Sequence, residues 1–152
     1  MEKILFATDF SKNAEKAFHF ALKIAEKHDA ELIMLHVFDM PPVYGHPYLI
    51  GPDEMKRQAG ISWERYLKKF FEQFITDLEP TFIAVQNNSI SKGILSVIKE
   101  HKPDLIIAGV KGKSVLKEIF IGSATKVLLK KSPVPLLAVP EKARYRGFQK
   151  VI

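Results

Sequence analysis

The apolar positions of this chain fall into five short runs separated by longer amphipathic stretches. Lys3-Ile4-Leu5-Phe6-Ala7-Thr8 does not alternate, so it predicts a strand covered on both faces. Glu31–Phe38 (ELIMLHVF), Thr81–Gln86 and the wholly apolar Leu105–Ala108 predict a second, third and fourth strand. Leu136–Val139, with Pro133, Pro135 and Pro140 around it, predicts a fifth at a sheet edge. Between them lie helical patterns. Ser11 caps Asn13–His28, where Ala14, Ala17, Phe18, Ala21, Leu22 and Ala25 form one apolar stripe. Asp53–Leu78, capped by Asp53, carries an aromatic stripe through Trp63, Tyr66, Phe70 and Phe74. Ser91–His101 and Ala124–Lys131 complete the set. The order is β-α-β-α-β-α-β-α-β, which demands a mostly parallel, doubly wound α/β sheet with helices on both faces. Asp39–Pro52, with four prolines, is a long connection placed where it would cover a ligand.

The fourth strand runs into Gly109-Val110-Lys111-Gly112-Lys113, and Gly122-Ser123 precedes the last helix, giving the spacing G-x₂-G-x₉-G-S. Glycine after a strand permits a positive φ and close approach by a ligand. A helix opened by Gly-Ser offers free N–H groups and a positive dipole end to a phosphate. Lys111 and Lys113 add charge on that side. A Walker-type loop is excluded, because the glycine it needs five residues before Gly112 is Ile107. Asp9, closing the first strand, suits ligand hydroxyls or a metal, and equally a turn or cap. His36 has no second histidine at metal-ligand spacing and reads as a satisfied core or edge histidine.

Composition narrows the classes. At 152 residues and 47% hydrophobic, the chain forms one globular domain. It lacks cysteine, any signal-peptide pattern and an apolar run of membrane-spanning length, so a cytoplasmic protein without membrane association is expected. The net charge of +6 is uneven: residues 1–108 hold 13 Lys and Arg against 15 Asp and Glu, whereas residues 109–152 hold 10 against 2. That asymmetry points to an anionic partner, either a phosphate ligand or a polyanion. Residues 141–152 (EKARYRGFQKVI) form a basic tail with no core pattern.

These segments resemble the universal stress proteins, in their nucleotide-binding branch, over about residues 1–140. The likeness is carried by Ile4–Ser11, Leu35-His36-Val37, Pro103–Gly109, the full glycine spacing and Ser132–Val139. The resemblance implies an adenine-nucleotide alpha-hydrolase-like sheet of order 3-2-1-4-5, with Asp9 and Gly109 on either side of the crossover crevice. It implies that Asp9, with Thr8 beside it, lies near a ribose and that Val37 meets adenine through its backbone. Gly109 and Gly112 would make room for sugar and phosphates. Gly122, Ser123 and the amide of Ala124 would hold phosphate oxygens, with Lys111 and Lys113 supplying charge. ATP, AMP or ADP is the implied ligand, with Mg²⁺ or Mn²⁺ carried by the phosphates rather than by a protein metal site. Val110 and Lys111 depart from the family's usual small hydroxyl residue and His, which leaves the choice among nucleotides open. The resemblance also implies a homodimer through the last strand.

The leading expectation is an ATP-binding regulatory module. No catalytic residue is assigned: between Gly109 and Pro140 Glu118 is the sole carboxylate, so efficient phosphoryl transfer is not expected, and weak ATP hydrolysis is the alternative. A further alternative is nucleic-acid or other polyanion binding through Lys130, Lys131, Lys142, Arg144, Arg146 and Lys150, with Tyr145 and Phe148 for stacking; nucleic acid is the weaker reading, since no known nucleic-acid module is present.

Overall fold

A computed structural model describes residues 1–40, 51–113, 118–120 and 123–147, with backbone alone for 111–113, 118–120 and 123. The elements run β1 (Lys3–Ala7), α1 (Lys12–His28), β2 (Glu31–Phe38), α2 (Pro52–Phe71), β3 (Thr81–Gln86), α3 (Ile90–His101), β4 (Leu105–Lys113), β5 (Glu118–Phe120), α4 (Ser123–Lys131) and β6 (Leu136–Pro140). The main sheet is parallel throughout, in the order β3-β2-β1-β4-β6. With the predicted fifth strand being β6, this is the expected order 3-2-1-4-5.

The non-alternating strands are explained by two cores, one on each face. Ile4, Phe6, Leu32, Met34 and Ile107 join α1 and α2 in one, around Phe18, Leu67 and Phe70. Leu5, Ile33, Leu35 and Ile106 join α3 and α4 in the other, around Ile94, Val97, Ile98 and Leu128. Consecutive side chains point to opposite faces, and each face finds an apolar layer.

Three boundaries differ from expectation. The α2 N-cap is Gly51, not Asp53, because Pro52 takes the first helical position, where its missing N–H costs nothing; Asp53 and Glu54 then lie in the first turn. The helix also stops at Phe71 rather than Leu78. The chain leaves it through tighter bonds, the Gln73 amide donating to the Phe70 carbonyl (3.4 Å) and the Phe74 amide to the Phe71 carbonyl (3.0 Å); beyond them the Thr76 hydroxyl donates to Glu26 (3.0 Å) and accepts from the Leu78 amide (3.2 Å). Phe74 and Leu78 still reach the core, whereas Ile75 is fully exposed. Finally, β4 does not end at Ala108. Gly109 and Val110 pair with Val139 and Pro140, and Lys111–Lys113 turn back antiparallel onto Phe120–Glu118. The first part of the predicted glycine-rich loop is therefore a strand and one arm of a hairpin.

The tail also differs. Ala143 and Tyr145 pack against the α1 side of the core, and the Tyr145 ring meets Phe20 edge-on at 5.6 Å. Tyr145 is thus withdrawn from any stacking surface, while Lys142, Arg144 and Arg146 stay exposed. Phe148 and Lys150, like the bulk of the predicted 39–52 loop (residues 41–50), lie outside the described residues.

Candidate functional site

In a parallel sheet of this order the chain runs away from β1 in opposite directions, through β2 and through β4, and a crevice opens beyond the strands' carboxyl ends. Here Ala7 of β1 pairs with Leu35 on one side and Ala108 on the other. A cleft of about 350 Å³ occupies that position, within the range of small-molecule sites. Thr8, Asp9 and Ala14 line it from the β1–α1 junction, and Leu35, His36 and Val37 from β2. Ala108, Gly109 and Val110 of β4 form the opposite side. Ile90 and Ile94 of α3, with Leu128 of α4, give an apolar wall, and Ala124 and Thr125 bring the first turn of α4 to the rim.

The β1–α1 junction is heavily specified. The Thr8 amide donates to the Leu35 carbonyl (2.9 Å), and the Thr8 hydroxyl accepts from the Phe10 amide (3.0 Å). One Asp9 carboxylate oxygen accepts from the Ser11 amide (2.9 Å), and the Ser11 hydroxyl caps α1 by accepting from Ala14 N–H (3.2 Å). So Asp9 does fill a turn role, yet its other oxygen has no hydrogen-bond partner among the described residues, and the side chain is exposed at the cleft. Such an oxygen is an acceptor available to a ligand hydroxyl.

His36 is held from behind. Its Nδ1 lies 2.9 Å from the Thr8 carbonyl, and since a carbonyl only accepts, Nδ1 carries the proton. Burial pushes the imidazole below its ordinary value near 6.5, opposed by that hydrogen bond and by the Asp9 charge. The ring is flanked by Trp63 at 4.4 Å and Phe10 at 4.7 Å between centroids. This is the satisfied histidine that its lone position in the sequence suggests. Among the described residues, no group of three or more His, Asp or Glu is arranged to hold a metal ion.

Two glycines set the cleft's width. A Cβ on Gly109 would sit 2.7 Å from the Asn13 carbonyl oxygen and 3.0 Å from the Ala14 nitrogen, so the missing side chain makes room for the first turn of α1. Sequence spacing attributes that room to a ligand; the geometry attributes it to the helix, with the Gly109 backbone left on the cleft wall. A Cβ on Gly93 of α3 would meet the Val37 Cγ1 at 2.6 Å, which brings α3 down against β2.

Of the residues expected at a site, Thr8, Asp9, Val37, Gly109 and Ala124 line this one cleft. Ser123 begins α4. Lys111, Gly112 and Lys113 lie in the β4–β5 hairpin, and their side chains, like Gly122 altogether, fall outside the described residues. Sequence reasoning did not single out Thr125, Gly93, Ile90, Ile94 or Leu128. Thr125 could have been found from its place in the turn after Gly-Ser; the other four carry no signal that sets a cleft wall apart from helix packing.

A sequence model of the universal stress protein family matches residues 1–140. A universal stress protein of Methanocaldococcus jannaschii is 29% identical over 155 residues, covering 93% of this chain and 96% of the relative. The solved structure of that archaeal protein has a TM-score of 0.69 to this chain at 27% identity, covering 94% of this chain and 98% of its own. Two more distant solved structures share the fold. One is described as a universal stress protein in complex with cAMP (TM-score 0.61, 19% identity, 91% of this chain and 96% of that one). The other is an Arabidopsis thaliana member of the same family with AMP bound (TM-score 0.59, 16% identity, 94% of each chain).

Proposed function

This chain belongs to the universal stress protein family, and on that footing we propose that it is a small regulatory module that binds an adenine nucleotide, ATP or AMP/ADP, in the cleft beyond β1, β2 and β4. The observation that carries the reading is the cleft's polarity. The unpartnered Asp9 oxygen, the first turn of α4 with Ala124 and Thr125, and the apolar wall of Leu35, Val37, Ile90, Ile94 and Leu128 all face the one cleft. A sugar hydroxyl, a phosphate and a flat heterocycle respectively suit those three surfaces. That two proteins of this fold are described with cAMP and with AMP supports the choice of adenine. Lys111, Lys113, Gly112, Gly122 and Ser123 would complete the phosphate end, with Mg²⁺ or Mn²⁺ carried on the phosphates. Three or four hydrogen bonds to charged groups, each contributing roughly 1.5–3 kcal/mol, leave micromolar affinity after association costs.

The experiment is calorimetric titration of wild type and Gly122→Val with Mg-ATP, preceded by denaturing the purified protein and chromatographing any released nucleotide. Micromolar binding by wild type alone is expected; equal heats from both proteins, or none from wild type, would remove the assignment. The same reading makes the protein a cytoplasmic homodimer paired along β6, whose strand partner among the described residues is β4 alone. Light scattering that reports monomer at high micromolar concentration would remove the dimer.

A further inference from the structure

We propose that Phe10, which does not itself line the cleft, is the residue that positions Asp9 for recognition of a ligand's vicinal hydroxyls; the inference rests on the nucleotide reading above. Phe10 adopts φ +63°, a left-handed conformation that an aromatic residue rarely takes. Such a backbone persists only where its surroundings over-determine it. Two sets of contacts do so here. Its amide is tied to the Thr8 hydroxyl at 3.0 Å, and its ring is gripped by His36 (4.7 Å), Tyr66 (4.6 Å), Trp63 (5.8 Å, near-parallel) and Phe70 (5.9 Å).

The consequence falls on its neighbours. Because Phe10 turns left-handed, the Ser11 amide is brought back within 2.9 Å of one Asp9 oxygen, which fixes the carboxylate and leaves the second oxygen for the cleft. Asp9 is exposed and has no other hydrogen-bond partner among the described residues, so nothing else in that set holds its orientation. The ring of Phe10 is thus an anchor sunk between α2 and β2 whose effect is felt one residue away, at the cleft. An acceptor so held meets two adjacent hydroxyls with little loss of side-chain freedom, and that is where discrimination between a ribose and a deoxygenated sugar arises.

The test compares ATP with 2′,3′-dideoxy-ATP by calorimetry, both with Mg²⁺, on wild type, Phe10→Gly, Phe10→Leu and Phe10→Tyr. Glycine keeps the left-handed turn accessible and removes the anchor; tyrosine keeps the anchor. Wild type and Phe10→Tyr are expected to prefer ATP by about ten-fold or more, as one lost hydrogen bond to a charged group implies. Phe10→Gly is expected to bring that preference to within about two-fold while binding dideoxy-ATP as wild type does. Should circular dichroism show Phe10→Gly unfolded, Phe10→Leu carries the same comparison. No binding of either nucleotide by wild type would overturn the nucleotide reading itself. Binding without preference, a preference that survives in Phe10→Gly, or an equal loss of both ligands would leave that reading standing and overturn the role of Phe10.

Discussion

Gly109→Ala puts the packing argument to a direct trial. The new methyl carbon would lie 2.7 Å from the Asn13 carbonyl oxygen, 2.8 Å from its carbon and 3.0 Å from the Ala14 nitrogen. Restoring the 3.4 Å of ordinary contact requires β4 and the first turn of α1 to separate by about 0.7 Å. Neither partner yields easily. Gly109 is paired with Val139 in the sheet, and the helix turn is pinned by the Ser11 cap and by the bonds from the Phe10 amide to the Thr8 hydroxyl and from the Ser11 amide to the Asp9 carboxylate. Overpacking of this kind costs roughly 1–3 kcal/mol, and the rigidity of both backbones argues for the upper half. The reduced freedom of the unfolded chain returns about 0.4–1 kcal/mol, leaving a net loss of about 1–2.5 kcal/mol. For a chain of this length that lowers Tm by roughly 2–10 °C. Gly60→Ala is the matched control. It lies inside α2 with nothing among the described residues within 4 Å of the added carbon, so the same substitution is expected to stabilise by about 0.5–1 kcal/mol. Urea and thermal unfolding of both variants read the difference. If Gly109→Ala matches or exceeds wild type in stability, the close approach of α1 to β4 is not what requires glycine there.

Substitutions at Gly93, His36 and Tyr145 test other parts of the structure. Gly93→Ala drives a methyl to 2.6 Å from the Val37 Cγ1, and the loss, about 1–3 kcal/mol, is expected to shrink sharply in the Gly93→Ala/Val37→Ala pair; additive losses in that cycle would refute the contact. His36 has a folded pKa lowered from 6.5, chiefly by burial, so the unfolded chain binds the proton first as pH falls. Stability therefore drops as pH decreases from 7 through 6.5 toward the folded value, and the slope is expected to flatten in His36→Gln. Trp63 emission, with its ring 4.4 Å from the imidazole, should titrate with a midpoint below 6.5 in wild type and not in the variant; a midpoint above 6.5 contradicts the burial argument. The Tyr145 hydroxyl is buried without a hydrogen-bond partner among the described residues, so Tyr145→Phe should hold or gain up to about 1 kcal/mol. Tyr145→Ala should lose about 2–4 kcal/mol if the ring packs on Phe20, and an unchanged melting curve would show that the tail is undocked.

The strands were legible because each is an apolar run with punctuation at both ends; β2 and β3 begin and end where the residue types change. The extension of β4 was not, since G-x₂-G is the composition of a turn and β5 offers only three residues, Glu118–Phe120, to pair with it. The end of α2 was hidden for another reason. Phe74 and Leu78 continue the helical period and do reach the core, but from a chain that has already left the helix at Glu72 and Gln73. The tail's inward positions, Ala143 and Tyr145, are two residues between arginines and lysines, too few to show a period. At the cleft, Asp9 stood out as a carboxylate closing an apolar strand. Ile90, Ile94 and Leu128 could not, because a residue lining a ligand wall and one filling a core have the same chemistry and spacing.

The glycines show how far spacing alone carries. A glycine beyond a strand is called for equally by a ligand that must come close and by a backbone that must; the sequence records the close approach without saying of what. Here Gly109, at the cleft, and Gly93, behind it, both admit protein. Gly109 lets α1 lie against β4 on one face of the sheet, and Gly93 lets α3 lie against β2 on the other. These approaches bring Ala14 on one side and Ile90 and Ile94 on the other around the carboxyl ends of the central strands, so the cleft is shaped by helix packing. Ligand affinity and folding stability then draw on the same contacts at these two positions. They are separable at Asp9, where asparagine keeps an oxygen to accept from the Ser11 amide, and at Thr125; Asp9→Asn and Thr125→Val should alter binding while leaving the melting temperature close to that of wild type.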